Sequence, residues 1–460
     1  MIDDLSASGT PYPAMSHPPA HPSVMAAAAL LAGLRCDLSA PFHLLEIGCA
    51  SGHHLLPIAA SYPHARFTAI DIDATAIAEA KRLAHLADLS HIEWIHADFT
   101  QWAAPAQQFD LIIAHGIFSW VDDHAKSALL ALIAQSLRPQ GIAMISYNTQ
   151  PGWALRQPLR EMTLSLRHHP LAQGSAEVAL AQMKQALSTR QDAYARYLHE
   201  VIDDTLAKGE RQLAHDDLAA VCDPCYFTQF VHWTTGAQLR YLGETDSTLS
   251  PWPQLDHNAL TQLALVKDQP LLHEQFIDFL TGRTFRTSLL GHASASLAPA
   301  TQEEMAALIV EPIALPETTG DAHTDAFLLA LHDTPPSTAS IREITTRARS
   351  LSLAQAVTVA TRLLALGLIR LHVTAPRISQ EMPSHPQLSL LNRDHLAHEK
   401  PLVDAYHRPC HFRPNDRRWL ARCDGQHSFE DLMKLARDDA EVRSLHALLQ
   451  HLLDRGLLLP

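Results

Sequence analysis

Three acids and two glycines in the N-terminal part of the chain have the types and spacing to hold a nucleotide-like ligand. Glu46 closes an apolar run, and Gly48 and Gly52 occupy the turn behind it, in LLEIGCASG at 44–52. Glycine lets a backbone approach a ligand where a Cβ would clash, and a helix opening after such a turn offers free N–H groups. Asp71 ends the next apolar run, where a carboxylate can accept both hydroxyls of a ribose. Dinucleotide enzymes use the same device, so this acid does not discriminate. Asp98 and Phe99 end a third run and offer an acceptor for an adenine amino group beside an aromatic wall. The turn lacks the close first glycine pair of G-x-G-x-x-G. Together these features favour S-adenosylmethionine over NAD.

Transfer of a sulfonium methyl group is an in-line displacement, which asks for an aligned nucleophile and a dry site rather than a covalent residue. The segments after the fourth and fifth apolar runs would face that chemistry. His115, Phe118 and Trp120 come from one, and Tyr147, Asn148 and Trp153 from the other. His115 stands close enough to the cofactor loops to serve both sides, and His115 or Tyr147 is a candidate proton acceptor. Phe118 and Trp120 serve equally as core or as an acceptor wall. No cluster of carboxylates or His/Cys ligands lies near these loops, so no metal is expected. Cys222 and Cys225 have C-x-x-C spacing without a second pair, which is weak for metal or redox use.

The elements that must carry these residues alternate between strand-like runs and amphipathic helical stretches, the pattern of a parallel α/β sheet. Strands are expected at 43–50, 67–73, 92–98, 109–116 and 141–148, with helices at 52–61, 74–87 and 124–137 and a turn at 139–141 closing the last. After Pro151 and Gly152 the pattern changes to long helices, 154–168 and 175–209, read as a helical insertion over 154–220. Strands at 239–245 and 285–291, preceded by helices at 226–238 and 273–281, would complete a seven-stranded sheet. The sheet domain thus comprises 1–153 and 221–293.

Residues 292–324 are rich in Ala, Thr, Pro and Glu without a period and read as a linker. Beyond them FLLALHD (327–333) and RLLALGLIR (362–370) are echoed by WLARCD (419–424) and LQHLLDRGLLL (449–459). The echo marks two small winged-helix-like α+β modules, 325–375 and 402–460, joined by a Pro/His-rich stretch over 376–401. At 460 residues with 47% hydrophobic and 18% charged content, several packed domains are expected. A net charge of −14 with no Lys/Arg-dense run disfavours nucleic acid as a partner. The acidic start and the lack of an 18-residue apolar stretch read as a cytoplasmic protein without a membrane span.

Glu46, Gly48, Gly52, Asp71 and Asp98 stand as the glycine turn, ribose acid and adenine acid do in class I S-adenosylmethionine-dependent methyltransferases, which the chain resembles. AHGIFSWV (114–121), SYNTQPGW (146–153), QFIDFL (275–280) and FRTSLL (285–290) are similar to bacterial members carrying a methyltransferase regulatory domain. That group includes rickettsial-type lysine methyltransferases acting on outer-membrane proteins. The resemblance implies a Rossmann-like fold, S-adenosylmethionine as cofactor, and an N-terminal segment, here around Tyr12 and His21, that covers it. It implies lysine side-chain nitrogen of a protein as acceptor, with a homodimer possible. Around 388–393 the family's linker phrase is only loosely kept, which leaves the substrate open. The alternatives are a small-molecule methyltransferase and a non-catalytic cofactor-binding regulator.

Overall fold

The computed structural model describes residues 12–166, 175–207, 219, 221–332 and 339–459. Its centre is the expected seven-stranded sheet. β1 (His43–Ile47), β2 (Arg66–Asp71), β3 (Ile92–His96), β4 (Phe109–Ala114), β5 (Leu137–Asn148), β6 (Leu239–Glu244) and β7 (Phe285–His292) lie in the order β3-β2-β1-β4-β5-β7-β6. Only β7 runs antiparallel to its neighbours. Alternate side chains point to opposite faces of a strand, and here both faces are covered, so the runs read as continuously apolar. Leu44, Leu111, Met144 and Leu289 pack on one face. Leu45, Ile112, Ile145 and Leu290 pack on the other.

The strands end where local chemistry stops them. Gly48 leaves β1 with φ +73. Past β2, the Asp73 carboxylate accepts the Thr75 and Ala76 N–H groups and starts the Ala74–Leu86 helix. The turn expected at 139–141 lies inside β5 instead. Phe109 pairs with Leu137 and Leu111 with Ile142, so residues 138–141 bulge from the ladder. Pro139 has no N–H to give, and an irregularity is where a sheet tolerates it.

The insertion packs Gln157–Leu166, Ala176–Ala186 and Ala193–Leu206 around Leu159, Leu180, Leu198 and Ile202. The single helix expected over 175–209 is two helices. Asp192, tied to Arg190 at 2.9 Å, accepts the Ala195 N–H at 3.1 Å and begins a new one. The parts of the expected helices at 167–174 and 208–218 lie outside the described residues.

The linker expected over 294–324 is corrected by the structure. Thr301 and Glu304 form a capping box on the Gln302–Ala307 helix, and β8 (Ile309–Pro312) pairs antiparallel with β9 (Ile369–His372). With the helices Ala322–His332, Ile341–Ala348 and Leu353–Ala365 they build one C-terminal unit around Val310, Phe327, Ile344 and Leu363. The 376–401 stretch likewise holds a helix, Leu390–Ala397, belonging to the last unit with Phe429–Lys434 and Asp439–Asp454. Isolated bridges tie the segments of each unit together. Ile309 bridges Ser340, the cap of a helix, and pairs with the closing strand. In the last unit Gln387 bridges Asp424, four residues before the helix cap Ser428, and Leu388 bridges Leu458 near the end. The Thr/Pro-rich turn at 333–338 lies outside the described residues.

Both units pack on the sheet domain. The Pro22–Leu31 helix is apolar all round because it has two faces to bury. Met25, Ala26 and Ala29 meet the sheet core, whereas Ala27 and Leu30 meet the first C-terminal unit. Leu391 of the last unit packs with Leu56, Leu83 and Ala84, and Asp394 pairs with Arg82 at 3.0 Å. No helix among the described residues is long and apolar enough to cross a membrane.

Candidate functional site

β1 and β2 carry Glu46 and Asp71 to the carboxyl edge of the sheet. Asp71 is opposite His96 in the β2–β3 register, so Asp98, two residues on, stands at the same edge. The Asp71 carboxylate holds the glycine turn: Oδ2 accepts the Ala50 N–H at 2.7 Å and Oδ1 the Asp73 N–H at 2.9 Å. Each carboxylate oxygen has a second lone pair and can take a further donor. Asp98 Oδ1 accepts the N–H and hydroxyl of Thr100, at 2.9 and 2.8 Å, and Phe99 follows it half-buried. Glu46 is 4% exposed, and its Oε2 has no partner. Burial and the Asp71 charge push its carboxyl well above the usual carboxylate range.

The glycines have a packing reason besides the one read from sequence. A Cβ on Gly48 would lie 2.6 Å from Ile117 Cδ1, and one on Gly52 2.6 Å from the Trp94 ring. Both also hold positive φ, +73 and +72. Ile117, just past β4, and Trp94 of β3 therefore close over the turn where a Cβ would stand.

The β4 and β5 ends are tied together by two serines that the sequence did not single out. The Gly116 N–H donates to Ser146 Oγ at 2.8 Å, and the Asn148 N–H to Ser119 Oγ at 2.8 Å. No motif marks them, since each acts on a residue about thirty positions away. Asn148 is buried with Nδ2 unpartnered, as is Nε1 of Trp153, whose ring meets Trp120 edge-on at 6.2 Å. His115 is half-buried with an unpartnered Nδ1. Its ring lies 3.7 Å from that of His17, so the N-terminal segment covers this loop. Burial, with His17 and His54 beside it, holds the His115 imidazole well below its ordinary value and hence neutral.

Two expected site residues are placed elsewhere. Tyr147 is 1% exposed, stacked on Phe230 at 4.1 Å, with its hydroxyl 3.2 Å from Ser288 Oγ. Burial drives its phenol well above the ordinary range. Phe118 is fully buried against Phe230 and Tyr147. The reason is register: Tyr147 lies on the face of β5 covered by the Phe227–Gly236 helix, while Asn148 at the strand's end escapes it. Tyr147 and Phe118 are therefore core, leaving His115, Trp120 and Asn148 of the acceptor-side candidates.

Four buried polar atoms without partners, on Glu46, His115, Asn148 and Trp153, come from the strand ends and loops of this edge. Buried polar groups are ordinarily satisfied, so the edge has the character of a ligand site. No group of three or more potential metal ligands exists among the described residues.

Comparison with known proteins agrees with this geometry. Residues 44–141 match the family model described as a methyltransferase domain, and 209–292 match a predicted methyltransferase regulatory domain. The second match contains β6 and β7, so that segment completes the sheet. An uncharacterized protein of Rickettsia prowazekii (strain Madrid E) is 30% identical over 289 residues, covering 61% of this chain and 52% of that one. A trans-aconitate 2-methyltransferase of Azoarcus sp. (strain BH72) is 33% identical over 120 residues, covering 26% and 44%. The chain thus spans about half the length of the curated relatives it matches. The structure of PKMT2 from Rickettsia typhi in complex with AdoHcy superposes with a TM-score of 0.85 over 97% of this chain and all of that one, at 21% identity. The sheet domain carries a class I methyltransferase fold, and the segment that matches the predicted methyltransferase regulatory domain is built into it.

Proposed function

We propose that this methyltransferase domain binds S-adenosylmethionine and transfers its methyl group to the side-chain nitrogen of lysine in a protein. The observation that carries the cofactor half is the buried, unpartnered Glu46 carboxyl beside the Asp71-pinned turn, with Asp98 on the same edge. Asp71 would take the ribose, Asp98 and Phe99 the adenine, and Glu46 a donor of the amino-acid part. The glycine turn supplies the close backbone approach. The group brings an activated methyl; the chain's residues align it and keep water out.

The acceptor half has different support. Two folded units beyond the sheet domain provide surface that a small acceptor would not need, and a lysine acceptor is in keeping with the likeness to PKMT2. A lysine of pKa ~10.4 is neutral in only about one molecule in a thousand at pH 7.4, a cost of roughly 4 kcal/mol. A dry site beside a sulfonium lowers that cost by disfavouring the ammonium. His115, kept neutral by burial, adds no competing charge, and Trp120 and Asn148 would contact the acceptor chain.

Purified protein incubated with labelled S-adenosylmethionine and cell lysate should label a protein band at lysine. A labelled small molecule would overturn the acceptor assignment, and no label would leave a cofactor-binding protein without turnover. Calorimetry tests the cofactor separately. Asp71→Ala and Gly48→Val should each weaken S-adenosylmethionine binding, the former by about 1.5–3 kcal/mol per hydrogen bond lost from the carboxylate. Unchanged affinity in both would overturn the site.

A further inference from the structure

Two adjacent histidines follow the glycine turn, and the cofactor reading uses neither. His53 and His54 are 8% and 5% exposed, and each meets a histidine of the last C-terminal unit. His53 Nδ1 is 3.0 Å from His395 Nε2, and His54 Nδ1 is 2.7 Å from His407 Nε2. The partners of the remaining nitrogens fix the direction of every bond. His395 Nδ1 lies 2.7 Å from the Pro401 carbonyl, to which it can only donate. Its Nε2 must then accept from His53 Nδ1, and His53 Nε2 accepts from the Lys400 ammonium at 3.2 Å.

The second pair runs the other way. The backbone N–H of His17 points at His54 Nδ1 at 3.2 Å, which makes that nitrogen the acceptor, and its one lone pair is shared between this N–H and the closer Nε2–H of His407 at 2.7 Å. A neutral imidazole that accepts at Nδ1 carries its proton on Nε2. His54 Nε2 is buried and has no partner. A buried N–H donor is thus left without an acceptor two residues past Gly52, in a ring that also touches His17, the residue stacked on His115.

We infer that His54 is a cofactor-side donor and that His407 of the last C-terminal unit is its positioning residue, so that this unit completes the methyltransferase site. The inference rests on the cofactor reading above. His54 offers Nε2–H to an acceptor atom of bound S-adenosylmethionine, its carboxylate being the strongest acceptor that the ligand brings. His407 holds the tautomer that makes the offer possible, and the His53–His395 pair pins the same helix start. A unit some 350 residues away in sequence thereby acts on the cofactor turn directly.

The test uses the full chain and S-adenosylhomocysteine as probe, with affinity by calorimetry and melting temperature on the same samples. His54→Ala and His407→Leu should each weaken binding about 3- to 10-fold, the scale of one hydrogen bond. His407→Gln keeps an N–H donor near the Nε2 position and should restore affinity to within about 2-fold. The titration of His54 separates positioning from packing. Burial first, and then His407, His17 and His21, hold His54 well below its ordinary value. Removing the His407 ring relieves part of that effect, so the His54 imidazole should take up its proton at higher pH in His407→Leu, read by NMR titration of its ring. Wild-type binding with undiminished affinity in His54→Ala or His407→Leu would overturn the inference. So would equal losses in His407→Leu and His407→Gln with an unmoved His54 titration, which would make His407 packing alone. Failure of the wild type itself to bind the probe would instead remove the cofactor reading on which it stands.

Discussion

At the scale of single residues, the site was legible where chemistry is local and opaque where it depends on which face a side chain takes. Glu46, Gly48, Gly52, Asp71 and Asp98 sit at strand ends that apolar periodicity reveals, and the structure brings them to one edge. Tyr147 and Asn148 are neighbours on β5, and one residue of strand register decides that the first is core and the second is not. Glu46 gives the sharpest prediction. Its raised carboxyl means that the folded chain binds a proton there which the unfolded chain releases above its ordinary value near 4.5. Stability from this group is therefore lost as pH rises from about 4.5 toward the folded value. Glu46→Gln removes that cost, so the cofactor-free variant should melt higher than wild type at neutral pH, with an unfolding free energy greater by about 1–3 kcal/mol. It should bind S-adenosylmethionine more weakly. A lower melting temperature at pH 7.5 would mean that the carboxylate is satisfied in the free protein.

At the scale of elements, the central strands β1, β2, β4 and β5 were readable because both sheet faces are buried there and their runs are mostly apolar, whereas the partly buried edge strands β3 and β6 were placed by their spacing in the alternation. β8 was missed because four residues cannot show a period, although the Thr301 and Glu304 capping box just before it was a usable signal. The join between β5 and the Pro270–Thr281 helix rests on a contact that no sequence pattern announces. A Cβ on Gly152 would fall 2.0 Å from the Gly282 carbonyl oxygen and 2.4 Å from that of Arg283. Both are backbone atoms, so the chain itself has to move. Gly152→Ala should cost about 1–3 kcal/mol or more. Gly116, by contrast, has open space around its Cβ position and only a positive φ of +68 to satisfy. Gly116→Ala should then cost about 1–2 kcal/mol from backbone strain alone. Denaturant unfolding of the two variants orders them, and a larger loss at Gly116 would refute the steric argument. The same region is bound by Arg286, fully buried and bonded to Glu244 and Asp278 at 2.8 Å and to Glu274 at 3.2 Å. Arg286→Leu strands these carboxylates and should cost about 3–5 kcal/mol.

At the scale of the whole molecule, the C-terminal units are held to the sheet domain by the two-faced Pro22–Leu31 helix and by a seam of buried histidines, neither visible in any one segment of sequence. A chain with 30 histidines gives no hint of which ones meet; the fold does, gathering His17, His21, His53, His54, His115 and His407 between units far apart in sequence. Burial lowers all six: His17 to about 4, His21 and His53 to about 3, and the other three well below the ordinary value. A folded state that keeps these rings neutral contributes its full stability above pH 6.5 and loses it as pH falls toward the folded values, because the unfolded chain takes up the protons. Asp278, raised to about 6 from 3.8 by burial, acts in the opposite sense over the same range together with the raised carboxyls of Glu46, Asp71 and Asp404, but these are four groups against nine, since His43, His395 and His451 are lowered as well. Glu311 also pulls toward acid lability, since Arg370, His372 and Arg408 hold it at about 2, yet its share is lost only below its ordinary 4.5. Histidine control and carboxylate control thus differ in where the loss begins. Calorimetric melting of the cofactor-free full chain at pH 7.5, 6.0, 5.0 and 4.0 should show the melting temperature falling already between 6.0 and 5.0, with His407→Leu losing less over that interval. A melting temperature flat down to pH 5.0 and falling only by 4.0 would place acid sensitivity in the carboxylates and leave the histidine seam without a part in holding the units together.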